Sequence, residues 1–119
     1  MKLSNSYIGL PKDFYEVINP LPVKSPQLIA YNDELAQYLD LKIDQKEALE
    51  YFSRNSILPN TTPIALNYAG HQFGNFVHEL GDGRATLLGE IEVDKERFDI
   101  QLKGSGPTKF SRQGDGRSA

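Results

Sequence analysis

The 119-residue sequence contains no cysteine, which excludes a disulfide and a metal site built from thiolates. No apolar run approaches the roughly 20 residues that a membrane-spanning helix needs, so we expect no membrane contact. Residues 1–6 lack the apolar stretch of a signal peptide, which favours a cytoplasmic location. A net charge of -3 argues against general nucleic-acid binding, because that function needs a basic surface.

Proline and glycine are unevenly distributed along the chain. Six of the seven prolines precede Ile64, and nine of the ten glycines lie between Gly70 and Gly116. We therefore expect an N-terminal arm and helical segment over residues 1–62 and a glycine-rich antiparallel sheet over residues 63–119, in one truncated domain. The sequence stops directly after a glycine motif, which is typical of a fragment of a longer protein.

Two helices are predicted in the first half of the chain. Asn32 is a suitable N-cap for the first, and two acidic residues follow it at the positive end of the helix dipole. Asp44 and Glu47 have the spacing of a capping box at the start of the second helix, which we expect to end near Arg54. We interpret both helices as structural.

Alternation of apolar and polar residues predicts three antiparallel strands in a meander with one buried face. The apolar faces are Phe76, His78 and Leu80 on the first strand, Ala85, Leu87, Gly89, Ile91 and Val93 on the second, and Phe98, Ile100 and Leu102 on the third. The Asp82-Gly83 pair predicts a hairpin turn between the first two strands, since Asp-Gly favours positive φ. The predicted fold class is therefore α+β, with an arm and two helices followed by an antiparallel β-meander.

The third strand places Lys103 on the face opposite its apolar side chains, directly before Gly104. A lysine at this position can reach across the second face of the sheet toward a ligand, and it is a compact cation suited to phosphate. We expect Arg84, Lys103 and Arg112 to converge on one open face of the sheet. Taken in isolation, Lys103 is more often interpreted as an ordinary surface lysine at a strand end.

Glycine adjoins arginine at two places, Gly81–Arg84 and Gly114–Arg117. This composition suits phosphate binding, because glycine lets backbone amides approach a ligand closely. Neither segment is a P-loop or a dinucleotide-binding fingerprint, and each can also be an ordinary turn. His71 and His78 lack a third ligand at convincing metal-binding spacing, which favours packing or solvated histidines.

Four motifs follow one another in the second half of the chain. They are Tyr68-Ala69-Gly70-His71-Gln72-Phe73-Gly74, Leu80-Gly81-Asp82-Gly83-Arg84-Ala85, Asp99-Ile100-Gln101-Leu102-Lys103-Gly104-Ser105-Gly106-Pro107-Thr108 and Ser111-Arg112-Gln113-Gly114-Asp115-Gly116-Arg117. In this order they resemble the selenoprotein O family, also called the YdiU family, strongly over residues 63–119 and in general layout before that. Ser105 and Lys109 depart from the family pattern, and we interpret both as tolerated variations.

The resemblance implies a kinase-like fold, of which this chain holds part of the N-lobe, and transfer of AMP from ATP to Ser, Thr or Tyr hydroxyls of proteins. ATP would bind in an orientation flipped relative to ordinary kinases. Carried over by motif, the residues implied to contact ATP are Gly81, Gly83, Arg84, Lys103, Asp115 and Gly116.

The resemblance also implies Mg²⁺ or Mn²⁺, with the metal ligands and the catalytic aspartate downstream of Ala119. We therefore expect this chain alone to be inactive, because nucleotidyl transfer needs metal ions and a carboxylate that positions the nucleophile. The alternative function is an isolated, non-catalytic binding or interaction module. An ordinary kinase is disfavoured because the glycine turn lacks the kinase spacing.

Overall fold

A computed structural model describes residues 2–117 and shows an α+β fold, as predicted. Within this range, short 3-10 helices span Ser6–Gly9 and Lys12–Phe14. The α-helices are α1 (Asp33–Tyr38) and α2 (Gln45–Phe52). The strands are β1 (Tyr15–Val17), β2 (Ile64–Leu66), β3 (Gly70–Gln72), β4 (Asn75–Val77), β5 (Ala85–Val93) and β6 (Glu96–Lys103).

Both helices begin at the predicted caps. The Asn32 side chain accepts a hydrogen bond from the Leu35 amide at 3.0 Å, and Asp44 accepts one from the Glu47 amide at 2.7 Å. Each cap satisfies an amide that has no partner inside its helix. The second helix ends at Phe52, slightly before the predicted end. No helix among residues 2–117 is long and apolar enough to cross a membrane.

The main sheet is antiparallel, with the strand order β1-β2-β5-β6. A tight turn at Asp94 and Lys95, with φ of 49° and 69°, joins β5 to β6 as predicted. The predicted alternation along β6 is confirmed, because Phe98, Ile100 and Leu102 are half-buried while their neighbours are exposed. β5 and β6 form the longest strand pair of the sheet, and Lys103 is the last residue of β6.

The predicted first strand of the meander has a different partner from the one expected. Its residues supply β4, which pairs with β3 in a separate two-stranded sheet around a turn at Phe73 and Gly74. Its place beside β5 is taken by β2, whose Ile64 and Ala65 are fully buried. Phe76 is 56% exposed, so the alternation in this segment does not mark a buried face. The predicted hairpin turn before Arg84 is consequently a connection between two sheets.

The prediction of one buried face is wrong for β5. Residues 86–91 of this strand are buried on both faces, and a bulge between Leu87 and Gly89 shifts the alternation. The N-terminal segment causes the second burial: Ser4 forms an isolated bridge with Glu90. A Cβ atom at Gly89 would lie 2.7 Å from the Ser4 carbonyl oxygen, so the close approach requires glycine there.

The apolar face of the β5–β6 hairpin packs against the helical segment. Leu39, Leu41 and Ile91 form the buried centre of this cluster, and Phe98 and Ile100 pack against it. Because side chains alternate along a strand, Lys103 and the other polar residues of β6 lie away from this core. The fold therefore leaves Lys103, at the end of this polar face, exposed next to the glycine motifs.

Candidate functional site

The glycine turn, residues 81–84, is fixed to the end of β2. The Asp82 amide donates to the Leu66 carbonyl at 2.8 Å, and the Gly81 amide donates to the Tyr68 carbonyl at 3.3 Å. Gly81 has φ of 63°, and a Cβ atom there would lie 2.6 Å from Cγ of Phe110. Glycine is required at this position both for the backbone conformation and for the contact.

The Asp82 side chain organises the interior of the turn, and the sequence interpretation missed it. The residue is only 7% exposed. Its carboxylate accepts hydrogen bonds from the Leu66 amide at 3.1 Å and from the Tyr68 hydroxyl at 3.0 Å, and the Gln101 amide nitrogen lies 3.5 Å away. Burial, followed by the hydrogen bond to Asp82, raises the pKa of the Tyr68 phenol. The signal available in the sequence was an aspartate between two glycines, which also fits an ordinary turn.

Arg84 and Lys103 come together where β5 begins and β6 ends. Lys103 is the register partner of Ala85, and the amides of Gly104 and Ser105 donate to the Arg84 carbonyl at 2.7 and 3.2 Å. Both cationic side chains are exposed. They line a cavity of about 320 Å³ together with Tyr68, Gly81, Asp82, Gly83, Ala85 and Gln101.

A second cavity, of about 370 Å³, adjoins the first at the glycine turn. Its lining includes Gly81, Gly83 and Arg84 again, together with Asp115 and Gly116. All six residues implied to bind ATP thus line at least one of the two cavities, and Gly81, Gly83 and Arg84 line both. Lys103 lines only the first, whereas Arg112, Asp115 and Gly116 line only the second.

The segment 108–111 is bonded directly to the glycine turn. The Thr108 hydroxyl donates to the Asp82 carbonyl at 2.5 Å, and the Ser111 hydroxyl donates to the Gly83 carbonyl. A Cβ atom at Gly83 would meet the Phe110 carbonyl oxygen at 3.3 Å, so the two backbones approach closely. These contacts connect the glycine turn to the loop that carries Asp115.

Hydrogen bonds within the loop and to two other segments hold the loop around Asp115 in place. The Asp115 carboxylate accepts a hydrogen bond from the Arg117 amide at 2.9 Å, and the Gly106 amide donates to the Gly116 carbonyl at 3.1 Å. The Arg117 guanidinium donates to the carbonyls of Leu21 and Pro22 at 3.3 and 3.2 Å. Arg117 therefore anchors the loop to the N-terminal arm.

The cations of the site have no carboxylate partner among residues 2–117. The ion pairs within 4.0 Å in this range are Lys42–Asp40 and Arg97–Glu90, neither of which lines the two cavities. Arg84, Lys103 and Arg112 are consequently available to an anion. Arg84 lines one cavity with Lys103 and another with Arg112, so the predicted convergence of all three cations on one open face is not seen.

Potential metal ligands are not gathered at this site. The described residues contain no group of three or more His, Asp or Glu side chains that could hold a metal ion. The His71 and His78 rings each pack edge-to-face against Phe76, with centroids 5.5 and 5.0 Å apart, as in a small aromatic cluster. The residues present here do not fit a complete Mg²⁺ or Mn²⁺ site.

Comparison with known proteins supports the resemblance seen in the motifs. The family described as Protein adenylyltransferase SelO matches residues 1–119. Relatives named Protein nucleotidyltransferase YdiU include those of Agrobacterium fabrum, 54% identical, and Rhizobium rhizogenes and Maridesulfovibrio salexigens, each 52% identical. The alignments cover 100%, 97% and 99% of this chain and 25%, 24% and 25% of the relatives. The chain therefore spans about a quarter of the length of the curated relatives it matches.

Proposed function

Since the chain belongs to the SelO family of protein adenylyltransferases, we propose that it forms the ATP-binding part of an enzyme that transfers AMP from ATP to Ser, Thr or Tyr hydroxyls of proteins. The observation that carries this proposal is the arrangement around Arg84. Two cavities meet at the glycine turn, and together they are lined by the six residues that the motifs imply for ATP contact: Gly81, Gly83, Arg84, Lys103, Asp115 and Gly116.

The chemistry of the lining suits a nucleoside triphosphate. Arg84 and Lys103 supply two cations to the same cavity, and glycines in the turn allow a phosphate to approach the backbone. Asp115 supplies a hydrogen-bond acceptor in the second cavity, of the kind that ribose hydroxyls or a base amine require. In this proposal the phosphates bind on the Arg84 and Lys103 side, and the nucleoside binds on the Asp115 side.

The proposed reaction breaks the bond between the α- and β-phosphates of ATP. A protein hydroxyl oxygen forms the new bond to the α-phosphorus, pyrophosphate leaves, and the hydroxyl proton passes to a base outside this chain. Bound Mg²⁺ or Mn²⁺ would neutralise phosphate charge, but the described residues hold no ligand set for it. The contribution of this chain is to bind the phosphates, orient them and neutralise part of their charge.

The proposal is tested with ATP labelled at either the α- or the γ-phosphate. The full-length protein that carries this chain is incubated with Mg²⁺ or Mn²⁺ and a hydroxyl-bearing protein. Label from the α-position on the acceptor supports AMP transfer, and label from the γ-position alone indicates a kinase instead. No transfer of either label indicates the alternative, a non-catalytic binding module.

A pair of variants connects the activity to the cavities. Arg84→Ala removes the cation common to both cavities, and we expect transfer to fall strongly. Lys46→Ala, on the exposed surface of α2, is the matched control and should retain full transfer. Equal activity of the two variants would exclude Arg84 from the site.

A further inference from the structure

Asp82 differs from the six residues that are implied to contact ATP, because its carboxylate is hydrogen-bonded to other residues of the protein. Its two carboxylate oxygens take different partners: Oδ2 accepts from the Leu66 amide at 3.1 Å, and Oδ1 accepts from the Tyr68 hydroxyl at 3.0 Å. The side-chain amide nitrogen of Gln101 lies 3.5 Å from Oδ2, at the outer limit of a hydrogen bond. One buried carboxylate therefore connects the end of β2 with the glycine turn.

The backbone of the same residue makes further connections. The Asp82 amide donates to the Leu66 carbonyl at 2.8 Å, and the Asp82 carbonyl accepts from the Thr108 hydroxyl at 2.5 Å. Asp82 thus contacts both β2 and the segment 108–111. The Arg84 carbonyl is held separately by the amides of Gly104 and Ser105, so Asp82 fixes the side of the turn that faces β2.

The charge of Asp82 is satisfied without the two neighbouring cations. It lines the same cavity as Arg84 and Lys103, yet none of the three forms an ion pair within 4.0 Å among residues 2–117. Hydrogen bonds from the Leu66 amide and the Tyr68 hydroxyl stabilise the carboxylate instead. An aspartate paired with either cation would compete with an incoming phosphate, and this arrangement avoids that competition.

We propose that Asp82 is a positioning residue of the nucleotide site: it holds the glycine turn on β2, at the edge of the cavity that Arg84 and Lys103 line, while its own charge is satisfied away from both cations. The proposal rests on the proposed function of this site. It makes Asp82 act through Gly83 and Arg84, without touching ATP itself. A purely structural aspartate would change the stability of the protein but not the ATP affinity of its folded form.

Two substitutions separate geometry from charge. Asp82→Ala removes both carboxylate bonds, and we expect the dissociation constant for ATP to rise at least about tenfold, the equivalent of one lost hydrogen bond to a charged group. Asp82→Asn keeps an oxygen for the Leu66 amide and turns an amide nitrogen toward the Tyr68 hydroxyl, which can accept as well as donate. We expect this variant to bind ATP at least as tightly as the unaltered protein, because the turn is kept and a negative charge is lost.

The chain offers a matched control in Asp99 on β6. Its carboxylate also accepts a hydrogen bond from a tyrosine, the Tyr7 hydroxyl at 3.0 Å, but it is exposed and lines neither cavity. Asp99→Ala should therefore leave the ATP affinity unchanged. Affinities are measured in the full-length protein with a fluorescent ATP analogue, at a temperature where every variant is folded.

Amide hydrogen exchange without nucleotide provides the second readout. Asp82→Ala should speed exchange in the glycine turn, residues 81–84, while Asp82→Asn and Asp99→Ala should not. Tyr68→Phe removes only one of the two side-chain bonds and should give an intermediate exchange rate and affinity. If Asp82→Ala does not fold, Tyr68→Phe and Asp82→Asn provide the test.

The outcomes distinguish this inference from the proposed function. If the unaltered protein does not bind ATP, the proposed function fails and the nucleotide role of Asp82 fails with it; the exchange rates still decide whether Asp82 holds the turn. If the unaltered protein binds ATP and Asp82→Ala binds it as tightly, only the role of Asp82 is overturned. An equal loss of affinity in Asp82→Ala and Asp82→Asn would also overturn it, because the charge would then matter and not the position.

Discussion

Gly81→Ala tests the contact between the glycine turn and Phe110 more sharply than any other single substitution. Gly81 has φ of 63°, where an L-residue other than glycine costs about 1–2 kcal/mol. The new Cβ atom would also lie 2.6 Å from Cγ and 2.8 Å from Cβ of Phe110. The variant therefore combines backbone strain with a steric clash.

The clash cannot be removed by turning the phenylalanine ring. Rotation about χ1 moves Cγ of Phe110 but leaves its Cβ in place, so the backbone of the segment 108–111 has to shift. Thr108 and Ser111 bond that backbone to the turn itself. Overpacking of this kind typically costs about 1–3 kcal/mol. With the strain at the turn, we expect a total loss of about 2–5 kcal/mol in the free energy of unfolding.

Gly74→Ala is the matched control for backbone strain. Gly74 has φ of 79° in the turn between β3 and β4, and no atom of residues 2–117 outside the turn's own neighbours lies within 4 Å of the position its Cβ would take. It should cost only the strain, about 1–2 kcal/mol. Urea denaturation of the two variants in the full-length protein gives the difference, and ATP binding should weaken in Gly81→Ala alone because Phe110 lines the second cavity. Equal midpoints for the two variants would refute the packing argument.

Three further predictions concern the lysine, the tyrosine and the isolated chain. Lys103→Ala should lower AMP transfer by at least about a hundredfold, roughly 3 kcal/mol of transition-state stabilisation. Lys103→Arg should not restore the activity, since a planar guanidinium replaces a compact ammonium. The melting temperature of Lys103→Ala should stay near that of Lys46→Ala, and a large drop would reassign Lys103 to a structural role. Because the pKa of Tyr68 is raised, its hydrogen bond to Asp82 stabilises the fold fully below about pH 10 and is lost as pH rises through the raised pKa. Tyr68→Phe should therefore be less stable than the unaltered protein near neutral pH. The difference should shrink or reverse as pH rises through the raised pKa, because burial and the Asp82 carboxylate both disfavour the ionised phenol. A difference that does not change with pH would contradict this reasoning. The purified 119-residue chain should transfer no AMP with labelled ATP and Mg²⁺ or Mn²⁺, and transfer that persists after further purification would show that the catalytic groups lie within it.

Local signals in the sequence were sufficient for the helices and for the β5–β6 hairpin. Asn32 and Asp44 cap the helices through bonds to residues three positions away, and β5 and β6 are joined by a tight turn. These features depend on neighbours along the chain, which is why patterns of spacing predict them.

Long-range pairing was not predictable in the same way. Strands β1 and β2 are three residues long and come from distant parts of the sequence, so neither has a recognisable period. Burial of the second face of β5 depends on Ser4 crossing over Gly89, a contact that alternation along one strand cannot reveal.

The candidate site likewise combines features that the sequence predicted with contacts that it did not. The motifs supplied the residues, and the alternation along β6 placed Lys103 on the correct face. The second cavity is lined by Phe110, whose contact with Gly81 brings together residues far apart in the sequence that no spacing encodes. The role of Asp82 was hidden for the same reason, because its partners Leu66 and Tyr68 lie on a different strand and loop.

The most direct test of the nucleotide site is a crystal structure of the full-length protein with a non-hydrolysable ATP analogue and Mg²⁺. We predict phosphate oxygens within hydrogen-bond distance of Arg84 and Lys103, and the nucleoside beside Asp115 and Gly116, in the two cavities that adjoin at the glycine turn. A nucleotide bound elsewhere, with Arg84 and Lys103 both far from its phosphates, would contradict the assignment.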